Sequence, residues 1–171
     1  MLFRSRNNIT NFLSDPCSSD YNGASFNRCS YFMGKWIRHG EWYPDRKNRL
    51  FRAKLGAWSG GDLHEHLAID GEIHHLAGDL LHYSYNSILD FPGKMSLYAN
   101  AFAQQKMNEG TTVSKMNLLT RPVWRFLRAY ILRFGFLDGI PGFVIAMCNS
   151  YECLLKYCLT LEKLNSNIES K

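Results

Sequence analysis

The spacing of apolar side chains changes near residue 86 of this 171-residue chain. Before that point, short runs alternate apolar and polar residues, which is typical of β-strands. After it, apolar residues recur every three or four positions, which is typical of helices. No strand–helix–strand unit repeats, and the order of strands first and helices last predicts an α+β fold. Strands are expected at about 47–53, 63–69, 72–76 and 79–85, and about three helices at about 90–164.

Turn residues place the limits of these elements. Asp70-Gly71 lies between two alternating runs and predicts a β-hairpin. Gly110 is a typical helix stop. Because proline suits the first turn of a helix, helices are expected to begin near three prolines: Pro92, Pro122 and Pro141. Residues 1–20 show little pattern and are interpreted as a polar leader, and residues 166–171 as a tail.

Histidines and acidic residues are concentrated in residues 61–85. That segment holds five of the six histidines and five acidic residues but no lysine or arginine, so its charge is −5, against +6 for residues 1–60 and +4 for 86–171. Imidazoles and carboxylates together suit a divalent cation or acid–base chemistry. His64-Glu65-His66 lies inside the segment and His82 near its end. A polar strand edge with incidental histidines explains the same pattern, so both interpretations stay open.

An arginine-rich aromatic segment occupies residues 121–134. It sets a basic stripe beside apolar side chains at helical spacing: Arg121, Trp124, Arg125 and Arg128. With the apolar residues that follow, it predicts contact with an anionic membrane surface, although a helix packed on the domain is the alternative. Residues 140–161 contain Asn149, Glu152 and Lys156, which disfavours a membrane span. Nucleic-acid-binding motifs are missing, so nucleic acid is not expected as a partner.

The cysteines and the N-terminal sequence bear on the compartment. The five cysteines are an odd number and form no CxxC pair, which favours a reducing environment over a disulfide framework. The first residues lack the uninterrupted apolar run of a secretory signal peptide. A cytoplasmic location is therefore expected.

Several short runs, taken in order, resemble one enzyme family. They are Gly34-Lys35-Trp36-Ile37-Arg38-His39, Trp42-Tyr43-Pro44-Asp45, Arg49-Leu50-Phe51, Leu63-His64-Glu65, His82-Tyr83 and GFLDGIPGF at 135–143. Across about residues 21–163 they resemble bacterial family 2 glycosyltransferases and are similar to lipopolysaccharide-core β-glucosyltransferases. The resemblance implies the GT-A fold, a nucleotide-sugar donor, a lipid-linked or lipopolysaccharide acceptor, inversion at the anomeric carbon, and Mg²⁺ or Mn²⁺ as cofactor.

The resemblance also implies roles for individual residues. Glu65 would be the general base that takes the proton from the attacking acceptor hydroxyl. His82, supported by His64, would contact the metal or the pyrophosphate that the metal neutralises. Contacts to the donor or acceptor would come from a glycine-containing loop and two basic residues: Gly60, Gly61, Asp62, Arg49 and Lys35.

One part of the family pattern has no counterpart in this sequence. Neither a nucleotide-binding βαβ half nor a D-x-D metal motif occurs. We therefore expect the C-terminal portion of a GT-A glycosyltransferase, with an acceptor and catalytic part at 21–110 and a membrane-associating helical region at 111–165. It is expected to be inactive in isolation and peripheral on the cytoplasmic face of the bacterial inner membrane. The alternative is a non-catalytic module that binds a metal or a membrane.

Overall fold

The computed structural model describes residues 4–59, 66–85 and 87–169. The chain divides into two compact units. The strand unit contains the residues up to Arg38 together with Trp42–Ser84, and the helical unit contains His39–Glu41 together with the residues from Tyr85 onward. Short strands precede long helices, so the predicted α+β class is confirmed.

The strand unit is built around one central strand. Its elements are α1 (Arg4–Ser14), a 3-10 turn (Pro16–Asp20), β1 (Gly23–Phe32), β2 (Lys35–Trp36), β3 (Asp45–Phe51), β4 (Gly56–Ser59), β5 (His66–Ile69) and β6 (Ile73–Tyr83). Strand β1 pairs antiparallel with β2 and β3 and parallel with β6. Strands β4 and β5 form a separate antiparallel pair.

The core of the strand unit lies between β1 and β6. Buried apolar side chains from both strands meet there, and α1 and β3 add half-buried ones: Ala24, Phe26, Leu76, Leu80, Ile9, Phe12 and Leu50. The segment predicted as a polar leader therefore contains a helix that packs against this core. Strand β1 was not predicted at all, because its sequence GASFNRCSYF is rich in small and polar residues.

The predicted hairpin at Asp70-Gly71 is wrong. The strand before this turn pairs with β4 and the strand after it pairs with β1, so the two flanking strands belong to different sheets. The turn is fixed from outside, because Asn22 donates its side-chain amide to Asp70 O (2.6 Å) and its backbone N–H to Glu72 O (2.8 Å). These bonds start β6 alongside β1. The predicted strands 72–76 and 79–85 are one strand, irregular at Gly78, whose φ is +95°.

The helical unit consists of three long helices joined by short turns. The three helices are α2 (Asp90–Asn108), α3 (Lys115–Leu127) and α4 (Ile140–Glu169), and between α3 and α4 lie a π-helical turn (Arg128–Leu132) and a 3-10 turn (Gly135–Asp138). Both α2 and α3 pack against α4. Among the described helices, none combines the length and the apolarity that crossing a membrane requires.

The proline rule located two of these three helices correctly. Helices α2 and α4 begin next to Pro92 and Pro141 as expected, and Gly110 follows the end of α2 with φ +62°. The predicted start of α3 near Pro122 is wrong. Ser114 caps the helix by accepting a hydrogen bond from Met116 N (3.2 Å), so α3 begins a full two turns earlier and holds Pro122 inside it.

Candidate functional site

Five of the residues predicted to form the site lie outside the described residues. They are Gly60, Gly61, Asp62, His64 and the predicted base Glu65. Their roles remain predictions. The other predicted residues divide between the strand unit and the helical unit.

The three described members in the strand unit lie on three different strands. His82 is exposed on β6, in register with Ser30 of β1. Lys35 is exposed at the start of β2, opposite Phe32. Arg49 is exposed on β3, and its guanidinium donates to Asn48 O at 3.2 Å. Within the described ranges, no group of three or more His, Cys, Asp or Glu side chains could hold a metal ion, so Mg²⁺ or Mn²⁺ binding stays a prediction.

Two histidines of the acidic segment have structural roles. The His75 ring nitrogen Nδ1 lies 3.1 Å from Ser25 Oγ, and burial lowers the pKa of this imidazole. The His74 ring stacks on Phe12 of α1 with centroids 5.2 Å apart. These contacts attach α1 and β1 to β6. The structure therefore gives these two histidines packing roles within the strand unit.

A polar group that the sequence did not indicate lies beside β6. The carboxylate of Asp79 accepts hydrogen bonds from Arg38 (2.9 Å) and from the Tyr43 hydroxyl (2.9 Å). Burial, followed by the hydrogen bond to Asp79, raises the pKa of Tyr43, so its hydroxyl stays protonated at neutral pH. A groove of about 570 Å³ borders this group. In the sequence, the one local indication of this polar group is Asp79 itself, an acidic residue directly after Gly78, the glycine that interrupts β6.

A second polar group ties residues 39–41 to the other segments of the helical unit. Glu41, whose side chain is 7% exposed, contacts Arg125 Nε at 2.6 Å and Arg128 Nη1 at 3.1 Å. The Arg125 N–H does not point at the carboxylate oxygen, so this contact is an ion pair without a hydrogen bond. Asp138, 2% exposed, accepts from His39 N at 2.8 Å and lies 3.1 Å from His39 Nδ1.

The GFLDGIPGF run at 135–143 has a structural explanation. A Cβ on Gly142 would collide with the backbone oxygen of Gly135, and one on Gly135 would lie 2.6 Å from Ala129 O. The two glycines therefore let the start of α4 approach the preceding turns closely. Asp138, in the middle of the run, is the partner of His39. These contacts hold the helical unit together.

Large apolar side chains are exposed along α3, the turns after it and the start of α4. Exposed fractions range from 38% to 72% for this apolar patch: Leu119, Val123, Trp124, Leu127, Ile131, Leu132, Phe134, Phe136, Leu137, Ile140, Phe143, Met147 and Tyr151. Of the four residues predicted at a membrane surface, Trp124 is 53% exposed and Arg121 is exposed. Arg125 and Arg128 are half-buried and paired with Glu41.

Part of the chain is similar to Rickettsia proteins that carry the name uncharacterized glycosyltransferase. The protein of Rickettsia prowazekii (strain Madrid E) is 31% identical over 86 residues, 50% of this chain and 30% of that protein. That of Rickettsia conorii is 31% identical over 102 residues, 59% and 35% of the two chains, and that of Rickettsia felis is 30% identical over 94 residues, 55% and 33%. The chain thus spans about a third of the length of the curated relatives it matches. No protein-family profile and no solved structure matches it.

Proposed function

We propose that this chain is part of a glycosyltransferase that moves a sugar from a nucleotide-sugar donor to a lipopolysaccharide-core or other cell-surface glycan. The observation that carries the proposal is the partial similarity to the Rickettsia proteins. The ordered motifs between residues 34 and 143 add the finer assignment to the inverting, GT-A, family 2 enzymes. Residues 21–110 would supply the acceptor and catalytic part.

In this proposal, Glu65 is the general base. An inverting transfer is a single displacement, so it needs one carboxylate that removes the proton from the acceptor hydroxyl while the diphosphate leaves from the opposite side. His82 and His64 would face the diphosphate. A bound Mg²⁺ or Mn²⁺ would neutralise the charge that develops on the leaving group.

We further propose that residues 111–165 rest on the anionic cytoplasmic face of the inner membrane. The apolar patch supports this, because an accumulation of large exposed apolar side chains in one segment is typical of a surface that contacts a membrane or another protein. Arg121 and Arg133 are exposed within the same segment and suit anionic headgroups. Trp124 and Phe143 are the ring types that lie at the headgroup level.

The glycosyltransferase proposal can be tested on the purified chain with two readouts. Saturation-transfer NMR measures binding of a deacylated lipopolysaccharide-core oligosaccharide, and incubation with radiolabelled nucleotide sugars measures transfer. We expect saturable oligosaccharide binding, with transfer slow or undetectable in the isolated chain. Where transfer is measured, Glu65→Gln should reduce it at least about 100-fold without weakening acceptor binding. Glu72→Gln, in the same acidic segment, is the matched control and should change neither.

Two results would contradict the proposal. One is the absence of both oligosaccharide binding and transfer from any donor. The other is tight, stoichiometric zinc binding that His82→Ala abolishes in a chain that binds no saccharide. That second result would favour the non-catalytic metal-binding module.

A further inference from the structure

Three aromatic rings meet on one face of the sheet in the strand unit. Tyr31 of β1 is in register with Trp36 of β2 and with Tyr83 of β6. The ring centroids are 5.0 Å apart for Tyr31–Trp36, 5.2 Å for Tyr31–Tyr83 and 5.4 Å for Trp36–Tyr83. Tyr83 is 60% exposed although it belongs to this cluster. The three rings, which we call the aromatic platform, therefore offer apolar surface to solvent.

The aromatic platform adjoins the groove beside Asp79. Trp36 belongs to both, and the remaining residues of the groove are Asn8, Arg38, Gly78, Asp79 and Leu81. A volume of about 570 Å³ falls within the range of roughly 300–1,000 Å³ that is usual for sites of small ligands. Apolar walls combined with a few oriented polar groups are the usual composition of such sites.

The polar groups of the groove are held in place. Arg38 and Tyr43 both donate to Asp79, whose side chain is 14% exposed while that of Arg38 is 49% exposed. A carboxylate offers only acceptors and a guanidinium only donors. Hydrogen-bond acceptors of Asp79 and donors of Arg38 therefore lie side by side next to the aromatic platform. Because the two side chains carry opposite charges, the pair adds no net charge to the groove.

We propose that this groove binds a neutral pyranose ring. One face of such a ring consists of C–H groups and would pack on Trp36 and Tyr83. Its hydroxyls both donate and accept, which matches Asp79 and Arg38 as neighbours. That the ring belongs to the acceptor glycan rests on the proposed function, whereas binding of the ring does not.

Other ligands fit this groove less well. A phosphate group would meet the Asp79 carboxylate, and Arg38 is already ion-paired with it. A lipid chain would fill the apolar part but would leave the carboxylate and the guanidinium facing hydrocarbon, which is unfavourable. A sugar ring satisfies the aromatic and the polar surfaces at once.

The four tryptophans allow a direct test. The full chain is labelled with 5-fluorotryptophan, and the ¹⁹F signal of Trp36 is identified from its loss in Trp36→Phe. The neutral probes are cellotriose, maltotriose and β-galactobiose, each titrated to about 20 mM, well above a millimolar Kd. We expect the Trp36 signal to shift saturably with at least one probe. The signals of Trp58 and Trp124, 63% and 53% exposed elsewhere, should not move.

Two substitutions assign the binding to the aromatic platform. Tyr83→Ala should weaken the Kd about three- to tenfold through the loss of one aromatic contact. Asp79→Asn should also weaken it, with the far-UV circular dichroism spectrum unchanged. Trp58→Ala, an equally exposed aromatic residue of the strand unit, is the matched control and should leave the Kd within about twofold.

The site proposal and the proposed function fail in different ways. No saturable Trp36 shift with any probe, equal shifts of all four tryptophans, or a shift with uridine diphosphate alone would overturn the pyranose site. A Trp36 shift lost in Tyr83→Ala, in a chain that neither binds core oligosaccharide nor transfers sugar, would keep the site and reject its assignment to an acceptor. Core-oligosaccharide binding that is unchanged in Tyr83→Ala would reject the platform as the acceptor site.

Discussion

Glu41→Gln should change membrane binding and stability in opposite directions. Glu41 pairs with Arg125 and Arg128, two of the four residues predicted to face the membrane. Those arginines are each 42% exposed, so they remain hydrated when the carboxylate is neutralised. The substitution keeps the shape of the side chain and removes one negative charge from beneath the proposed membrane surface.

The structure sets the size of both effects. Breaking a fully buried pair costs about 3–5 kcal/mol, but water reaches both arginines here, so we expect a loss of about 1–2 kcal/mol of unfolding free energy. For a chain of this size the corresponding decrease in Tm is about 2–8 °C. A basic residue near an anionic surface contributes about 1 kcal/mol, so one additional unit of positive charge should tighten vesicle binding about fivefold.

The assay is sedimentation with vesicles of phosphatidylglycerol and phosphatidylcholine at 0.1 M salt, combined with thermal unfolding by circular dichroism. Glu72→Gln is the control with the same change of charge, because residue 72 is exposed in the strand unit and lies outside the proposed membrane-contacting residues 111–165. If Glu41→Gln binds no more tightly than wild type, or if Glu72→Gln tightens binding equally, Glu41 does not limit membrane contact through these arginines.

Two further predictions concern stability. Gly142→Ala should lower the Tm by more than 5 °C, because its Cβ would collide with the backbone oxygen of Gly135. Gly93→Ala, with open space around it in α2, is the control and should raise the Tm slightly. Equal effects of the two substitutions would contradict the close approach of α4 to the turn that contains Gly135. Burial lowers the pKa of His75, so the unfolded chain binds a proton more readily than the folded chain and stability should fall as pH drops through about 6.5. Urea unfolding at pH 7.5 and 5.5 should show this loss of stability in wild type and in the control His66→Gln, which changes an exposed histidine. The loss should be smaller in His75→Gln. An unchanged loss in His75→Gln would refute the assignment of the pH dependence to His75.

Local sequence patterns predicted the helices and strands that bury only one face or whose ends carry a proline or glycine. Helix α2 buries a stripe at regular spacing of four (Phe91, Met95, Ala99 and Ala103), and Pro92 marks its start. Strand β1 escaped prediction because it pairs on both edges and accommodates small and polar residues such as Ser25 and Ser30, both buried. Central position in a sheet is a tertiary property that a ten-residue window does not contain.

The hairpin error has a similar origin. Asp70-Gly71 has the composition of a tight hairpin turn, and Gly71 does adopt a φ of +91°. The pairing of the following strand is decided by Asn22, 48 residues away, which bonds both sides of the turn. Turn chemistry therefore predicted the bend correctly but not the partner of the strand that leaves it.

The candidate site was predicted even less completely, because its described polar groups are assembled from distant segments. Asp79 meets Arg38 across 41 residues and Tyr43 across 36, and no spacing rule connects them. The motif residues of the resemblance identified Arg38 and Tyr43 as members of runs but gave neither a partner. In the sequence, a carboxylate that directly follows a glycine within a strand is only a weak indication of a site. The structure adds its hydrogen-bond partners, Arg38 and Tyr43.

The charge pattern along the sequence takes a different meaning once the pairs are known. The segment 61–85 carries −5 and its neighbours are basic, yet Asp79 of the acidic segment is tied to Arg38 of a basic one. In the same way, Glu41 lies in the basic segment 1–60 and pairs with two arginines of the basic segment 86–171. The Glu41 pairs make the proposed membrane surface less positive than a count of its arginines indicates. Contact with a membrane must then depend mainly on the exposed apolar side chains, so high salt should weaken vesicle binding less than removal of Trp124 does.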